Sequence, residues 1–195
     1  MAIAKPSKAQ NGQSQLRIIA GQWRSRRLGF PAAPGLRPTP DRVRETLFNW
    51  LAPYIEGAKV LDPFVGSGAL YLEALSRGAS MALALDSSAE AIASLRHNLG
   101  LLGCSVGQLL QSDATRYLST QTASAFDVVF LDPPFHQNLL PATCALLEER
   151  QWLAERAWIY TESETLPSNL NLPSNWRLHR EKKAGQVHYA LWQRG

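Results

Sequence analysis

An α/β fold built on a mostly parallel sheet, with helices on both faces, is what this 195-residue sequence predicts. Two observations carry the expectation. From Lys59 onward short apolar runs alternate with segments of helical period, and four of those runs are each followed by an aspartate. Strands are expected at Lys59–Leu61, Met81–Leu85, Gly107–Gln111, Phe126–Leu131 and Trp158–Thr161, and helices at Ala69–Arg77, Ala89–Leu102, Ala114–Thr120 and Leu139–Glu149. The acids Asp62, Asp86, Asp113 and Asp132 then fall at the carboxyl ends of strands, the edge where open α/β sheets bind ligands. Trp176–His179 and Gln186–Gln193 read as two late strands forming a hairpin.

The residues before Lys59 follow a different pattern. Residues 1–14 are polar, with no apolar period, and read as a disordered tail. Residues 15–38 are expected to be a hairpin and linker, with short strands at Leu16–Ala20 and Trp23–Leu28 around Gly21-Gln22 and a proline-rich linker from Phe30 to Pro38. The main domain should occupy 39–195. A helix opens it, with Thr39 as cap and Pro40 at the first helical position. Val43, Leu47, Trp50 and Leu51 make its apolar stripe, Arg42, Arg44, Glu45 and Asn49 face elsewhere, and Pro53 ends it.

Charge is unevenly spread. Twenty Lys and Arg against sixteen Asp and Glu give a net +4, but residues 1–58 carry +6, residues 59–176 carry −6 and residues 177–195 carry +4. An acidic centre with basic flanks suggests a polyanion held at the periphery. The densest cluster is Trp23-Arg24-Ser25-Arg26-Arg27, where guanidinium groups suited to phosphates and bases sit beside an aromatic ring. Two cysteines, Cys104 and Cys144, are too few for a disulfide framework or a four-ligand zinc site. No apolar run approaches the roughly 20 residues of a membrane helix, and the opening residues lack a secretory core, so a cytoplasmic location is expected.

Lys59 to Leu70, KVLDPFVGSGAL, reads as a strand, a tight turn and a helix start. A phosphate loop would need a closing Lys-Ser/Thr, and a dinucleotide loop a third glycine where Tyr71 stands. The remaining class is S-adenosylmethionine, whose ammonium and sulfonium favour a carboxylate such as Asp62. Asp86 is placed to accept from ribose hydroxyls, and Asp113 to receive the adenine amino group.

Val128 to Phe135, VVFLDPPF, is the most specific motif. An apolar strand ending in Asp-Pro-Pro-aromatic is the signature of methyltransferases acting on planar exocyclic amino groups. The lone pair of such an amine is delocalised into its ring. Asp132 and the Pro133 carbonyl can accept both amino hydrogens and aim the lone pair. The two prolines stiffen the turn and remove N–H donors, and Phe135 offers a stacking face. No metal is required, and His97, His136, His179 and His188 show no ligand spacing.

Together LRIIAGQWRSRRL, RPTPDRVRETLFNWL, LDPFVGSGAL, DVVFLDPPF and EKKAGQVHYALW resemble the RsmD family of bacterial 16S ribosomal RNA guanine-N2 methyltransferases, over about residues 16–193. The resemblance implies a seven-stranded, Rossmann-like class I S-adenosylmethionine methyltransferase fold with a small N-terminal β-hairpin that helps bind RNA. It implies that Asp62, Phe64, Gly66, Ser67, Gly68, Asp86 and Asp113 contact S-adenosylmethionine. The Arg37-Pro38-Thr39-Pro40 segment, with Thr39 and Arg42, would close over the methionine end. Asp132, Pro133, Pro134 and Phe135 would hold the guanine, and Arg17, Trp23, Arg24, Arg26 and Arg27 would bind RNA. The implied partner is 16S rRNA, within the small ribosomal subunit or an assembly intermediate. Two other readings stay open: a DNA adenine or cytosine amino-methyltransferase, and a non-catalytic RNA-binding assembly factor.

Overall fold

The computed structural model describes residues 13–31, 38–135 and 137–195. An antiparallel hairpin of β1 (Gln13–Arg17) and β2 (Arg27–Pro31) precedes α1 (Asp41–Leu51). There follow β3 (Lys59–Asp62), α2 (Ala69–Ser76), β4 (Met81–Asp86), α3 (Ala89–Leu102), β5 (Gly107–Gln111), α4 (Ala114–Thr120), β6 (Phe126–Leu131) and α5 (Leu139–Glu149). The chain closes with β7 (Leu153–Ser163), β8 (Trp176–Ala184) and β9 (Val187–Arg194). The seven-stranded sheet has the order β5-β4-β3-β6-β7-β9-β8, parallel from β5 to β7, with β9 antiparallel to both neighbours. This is the class I methyltransferase arrangement. The chain lays down β3, β4 and β5 in one direction and then returns to place β6 on the other side of β3. That reversal opens a crevice beyond the carboxyl ends of β3 and β6.

Both faces of the sheet are covered. One core joins the hairpin, α1, α2 and α3 to the side chains of Val60, Ala82, Ala84, Phe130 and Tyr160. The other packs α4 and α5 on Leu61, Leu83, Val129, Leu131 and Ile159. Consecutive strand residues alternate between the two cores, as a doubly covered sheet requires. Among the described residues no helix is long and apolar enough to cross a membrane.

The N-terminal region departs from expectation. Residues 1–12 of the expected tail lie outside the described residues, but Gln13 and Ser14 already belong to β1. Leu16, Ile18, Leu28 and Phe30 all point inward, with Leu16 opposite Leu28 and Phe30 opposite Ser14, so the second strand runs through Phe30 into Pro31, where a linker was expected. Trp23, Arg24 and Ser25 form a turn instead of a strand, closed by Ser25 N–H donating to the Ile18 carbonyl at 2.8 Å. Thr39 does not cap α1: Pro40 holds the cap position and no side chain caps it. Within α1, Arg44 and Phe48 are buried while Trp50 is only half-buried, a rotation of the expected stripe. The cause is Arg44, which seeks an internal partner.

Arg44 has two carboxylate partners, Asp41 one turn back on α1 at 2.5 Å and Glu73 on α2, whose side chain is wholly buried. The Glu73 carboxylate accepts the backbone N–H groups of Ile19 at 2.8 Å and Ala20 at 3.0 Å, and the Arg77 Nε–H at 2.7 Å. Arg44 lies 3.6 Å away and donates to the Arg17 carbonyl at 2.9 Å. Ser76 completes the dock: its hydroxyl donates to the Ala20 carbonyl at 2.6 Å and accepts from Trp23 N–H at 3.0 Å. Gly21 makes this approach possible. Its φ is +83°, and a Cβ there would lie 1.9 Å from the Ser76 carbonyl oxygen. Glu73→Ala would leave Arg44 with Asp41 as its one carboxylate and strip the Ile19 and Ala20 N–H groups and Arg77 Nε of their acceptor. It should lower the unfolding free energy by about 3–5 kcal/mol, read as an earlier urea midpoint.

Candidate active site

The crevice is lined by carboxylates delivered by strand ends. β3 ends in Asp62, and β6 runs directly into Asp132. The two strands are hydrogen-bonded neighbours, Val60 opposite Val128 and Leu61 opposite Val129. Asp62 is buried, and its carboxylate accepts from the Phe64 N–H. Burial dominates that bond and, with the nearby charge of Asp86, pushes Asp62 up to about 8. Asp132 is raised well above the carboxylate range by burial first, then by the charges of Glu162 and Asp62. Glu162, near the end of β7, is also raised by burial, against hydrogen bonds from Tyr160 Oη at 2.7 Å and the Thr39 hydroxyl. Among the described residues no Lys or Arg pairs with any of the three. Such a site holds protons that a bound cation would displace.

The glycine turn sits against Asp86. The carboxylate of Asp86 accepts Gly66 N–H at 2.9 Å through one oxygen and Ser88 N–H at 2.8 Å through the other. Gly66 and Gly68 have φ of +49° and +80°, and a Cβ on Gly68 would fall 2.2 Å from a methyl group of Leu95. Gly68 thus lets the turn pack against Leu95 of α3, while Gly66 ties it to Asp86. Tyr71 stands where a dinucleotide loop carries its third glycine. Its buried ring crosses to β5, and its hydroxyl donates to the Gln108 carbonyl at 3.2 Å. Beyond β6, Pro133 is buried, Pro134 exposed and Phe135 half-buried, a rigid corner with an available ring.

The family model described as Conserved hypothetical protein 95 matches residues 16–193. The chain belongs to this family, the RsmD family. It is 51% identical to ribosomal RNA small subunit methyltransferase D of Escherichia coli K12, over 98% of this chain and 96% of the relative. The protein of the same name from Haemophilus influenzae is 46% identical, over 97% of this chain and 99% of the relative. The solved structure of Escherichia coli yhhF superimposes with a TM-score of 0.85 at 51% identity, covering 93% of this chain and 98% of that one.

Within this RsmD chain, Asp62, Phe64, Gly66, Ser67, Gly68 and Asp86 meet at the crevice with Asp132 to Phe135. Thr39 joins them through its bond to Glu162. Asp113 stands apart as the N-cap of α4. One of its oxygens accepts from Arg116 N–H at 2.8 Å and Thr115 Oγ1 at 2.6 Å, and these bonds hold its carboxyl below the usual range. Arg42 is exposed on the first turn of α1. Arg37 and His136 lie outside the described residues.

The basic cluster is not at the crevice. Its turn is pinned to Ser76 at the far end of α2, and Arg26 donates to the Leu101 carbonyl near the end of α3 at 3.2 Å. An eight-residue helix separates it from the glycine turn by about 12 Å. Trp23 is buried, so its ring anchors the turn and offers no face to a base. Glu162 is the site residue that sequence reading missed. A carboxylate inside the apolar run of β7 was the available signal, but the expected strand stopped at Thr161.

A raised native carboxyl holds a proton that the unfolded chain releases near pH 4. The stability Asp62 contributes is therefore complete below about pH 4 and lost as pH rises through about 8. In ligand-free protein, Asp62→Asn should flatten the fall of Tm between pH 5 and 8. An unchanged Tm profile would contradict the assignment.

Proposed function

We propose that this chain is an S-adenosylmethionine-dependent methyltransferase that modifies the 2-amino group of a guanine in small-subunit (16S) ribosomal RNA. The carrying observation is the Asp-Pro-Pro-Phe corner on β6 directly beside the Asp62 glycine turn on β3. One crevice thus holds a grip for a planar amine next to uncompensated carboxylates and the glycine turn. The curated relatives named for small-subunit ribosomal RNA span nearly the whole chain and favour RNA over the DNA reading.

The residues fit the cofactor. Buried acids without Lys or Arg partners suit a ligand carrying an ammonium and a sulfonium, and the turn at Gly66–Gly68 admits close contact. Asp86 reaches the turn through Gly66, and it is the acid placed nearest to receive ribose hydroxyls. Tyr71 closes the space that a dinucleotide loop needs. When bound, S-adenosylmethionine supplies a methyl group on a good leaving group, so the protein's task is alignment.

Asp132 performs that task by accepting a hydrogen of the amine, while the Pro133 carbonyl accepts the other. The amine lone pair is thereby turned out of conjugation and towards the glycine turn. Phe135 stacks on the extruded base and holds its plane. A cation in the crevice favours ionised Asp132, the form that accepts. The carboxylate then takes the proton that the nitrogen sheds on gaining its methyl group. Arg24 and Arg26 would hold RNA at a distance from the reacting base, since their turn lies at the other end of α2, with Arg17 and Arg27 beside it at the ends of β1 and β2.

Purified protein with labelled cofactor should transfer methyl groups to small-subunit RNA or particles and not to duplex DNA, with 2-methylguanosine as the product. Asp132→Ala should cut turnover by about 10²–10³-fold and leave cofactor Kd almost unchanged. Equal loss of both would remove Asp132 from the amine grip. Replacing Arg24, Arg26 and Arg27 with Ala should weaken RNA binding and flatten its salt dependence by about 0.7–0.9 for each phosphate no longer neutralised. Cofactor binding is the control that should not move.

A further inference from the structure

The C-terminal hairpin carries a cationic ridge that the mechanism above does not use. β8 is an edge strand, and its residues Arg177 to Lys183 are all exposed. Within that stretch Arg177, Arg180, Lys182 and Lys183 face only one acid, Glu181. Among the described residues none of these four cations joins an ion pair. Uncompensated like charges in a row repel one another, and an anionic polymer relieves that repulsion.

Strand register places the ridge. Glu162 lies opposite Tyr189, and Tyr189 opposite Lys182. Leu131 lies opposite Thr161, so Asp132, one residue on, stands level with Glu162. One row across the sheet therefore runs Asp132, Glu162, Tyr189, Lys182, three strand spacings or about 14 Å in length. Directly opposed residues share a face. Lys182, and Arg180 opposite Leu191, thus lie on the face that carries Glu162 and Tyr189. Lys183, opposite His188, takes the other face at the tip, where Gly185 and Gln186 close a two-residue turn.

The other end of the hairpin is fixed. Arg194 pairs with Glu148 of α5 through two nitrogens, and Trp176 Nε1 and Asn175 Nδ2 donate to the same carboxylate at 3.1 and 3.0 Å. The ridge is thus held at a set distance from the amine grip.

We propose that Arg180, Lys182 and Lys183 bind the phosphodiester backbone of RNA immediately beside the target nucleotide. The inference rests on the reading of the substrate as RNA. A strand whose base enters the crevice carries phosphates on either side of that base. Lys182 stands in one sheet row with Glu162 and Asp132, whereas the arginine turn lies at the opposite end of α2. Lysines on an edge strand also serve to block strand pairing between copies, which gives the test a second arm.

The experiment uses the full chain with Arg180→Ala, Lys182→Ala and Lys183→Ala combined, small-subunit rRNA as probe, and filter binding across a salt series. KM for RNA should rise on the order of 10-fold or more, and the log–log salt slope should fall by about 2. Cofactor affinity, kcat at saturating RNA and the unfolding midpoint should match the parent. The charge-preserving pair Lys182→Arg and Lys183→Arg should bind RNA like the parent. An unchanged KM and salt slope would overturn the proposal, as would unchanged RNA affinity with new self-association. If the parent binds rRNA but methylates none of it, the functional reading fails while the salt slopes still decide the ridge.

Discussion

Two carboxyl groups brought together by strand pairing set the character of this molecule. β3 and β6 are neighbours because the chain reverses direction across the sheet there, and each strand releases an aspartate at the same edge. Glu162 on β7 adds a third acid, and no described Lys or Arg neutralises any of them. Burial raises the pKa of all three groups, and the neighbouring charges raise Asp62 and Asp132 further. The glycine turn, the proline corner and the Thr39 contact are all arranged around that unsatisfied field. A crevice so built selects for a cationic ligand before any shape complementarity is considered.

The N-terminal hairpin shows how a small appendage is made part of the domain. Two short strands alone would be marginal in water. Here Glu73 and Ser76 satisfy the backbone of residues 19–23, and Arg44 crosses beneath from α1. Apolar residues of the hairpin join the same core as α1, α2 and α3. The basic turn is consequently presented on a rigid base, with its backbone hydrogen bonds made internally and three arginine side chains left at the surface.

The parallel half of the sheet was legible in the sequence because its signals are local. α3, α4, α5, β5 and β6 fall where periodicity and punctuation put them, and Asp62, Asp86 and Asp132 reach the edge that strand order implies. What escaped depends on distant partners. Arg44 turns inward between a local partner, Asp41, and a distant one, Glu73, 29 positions further on, and only the second draws it into the core. Thr39 has the composition of a helix cap yet spends its hydroxyl on Glu162, across the domain. The hairpin was misplaced because the arginine run suggested a strand, while the alternation of Leu16, Ile18, Leu28 and Phe30 sets the true pairing. The family resemblance counts Trp23 among the RNA-binding residues, and only packing shows its ring turned inside.

The clasp at Glu148 has a geometric consequence. It ties Asn175, Trp176 and Arg194 to one helix end, so the last two strands are fastened at the end remote from the crevice. Sheet spacing then makes the interval between the proline corner and the β8 tip a fixed length, independent of loop conformation. The molecule carries a built-in ruler. A polymer whose charged backbone cannot lie at that interval while one base is withdrawn will not seat, whatever its letters spell.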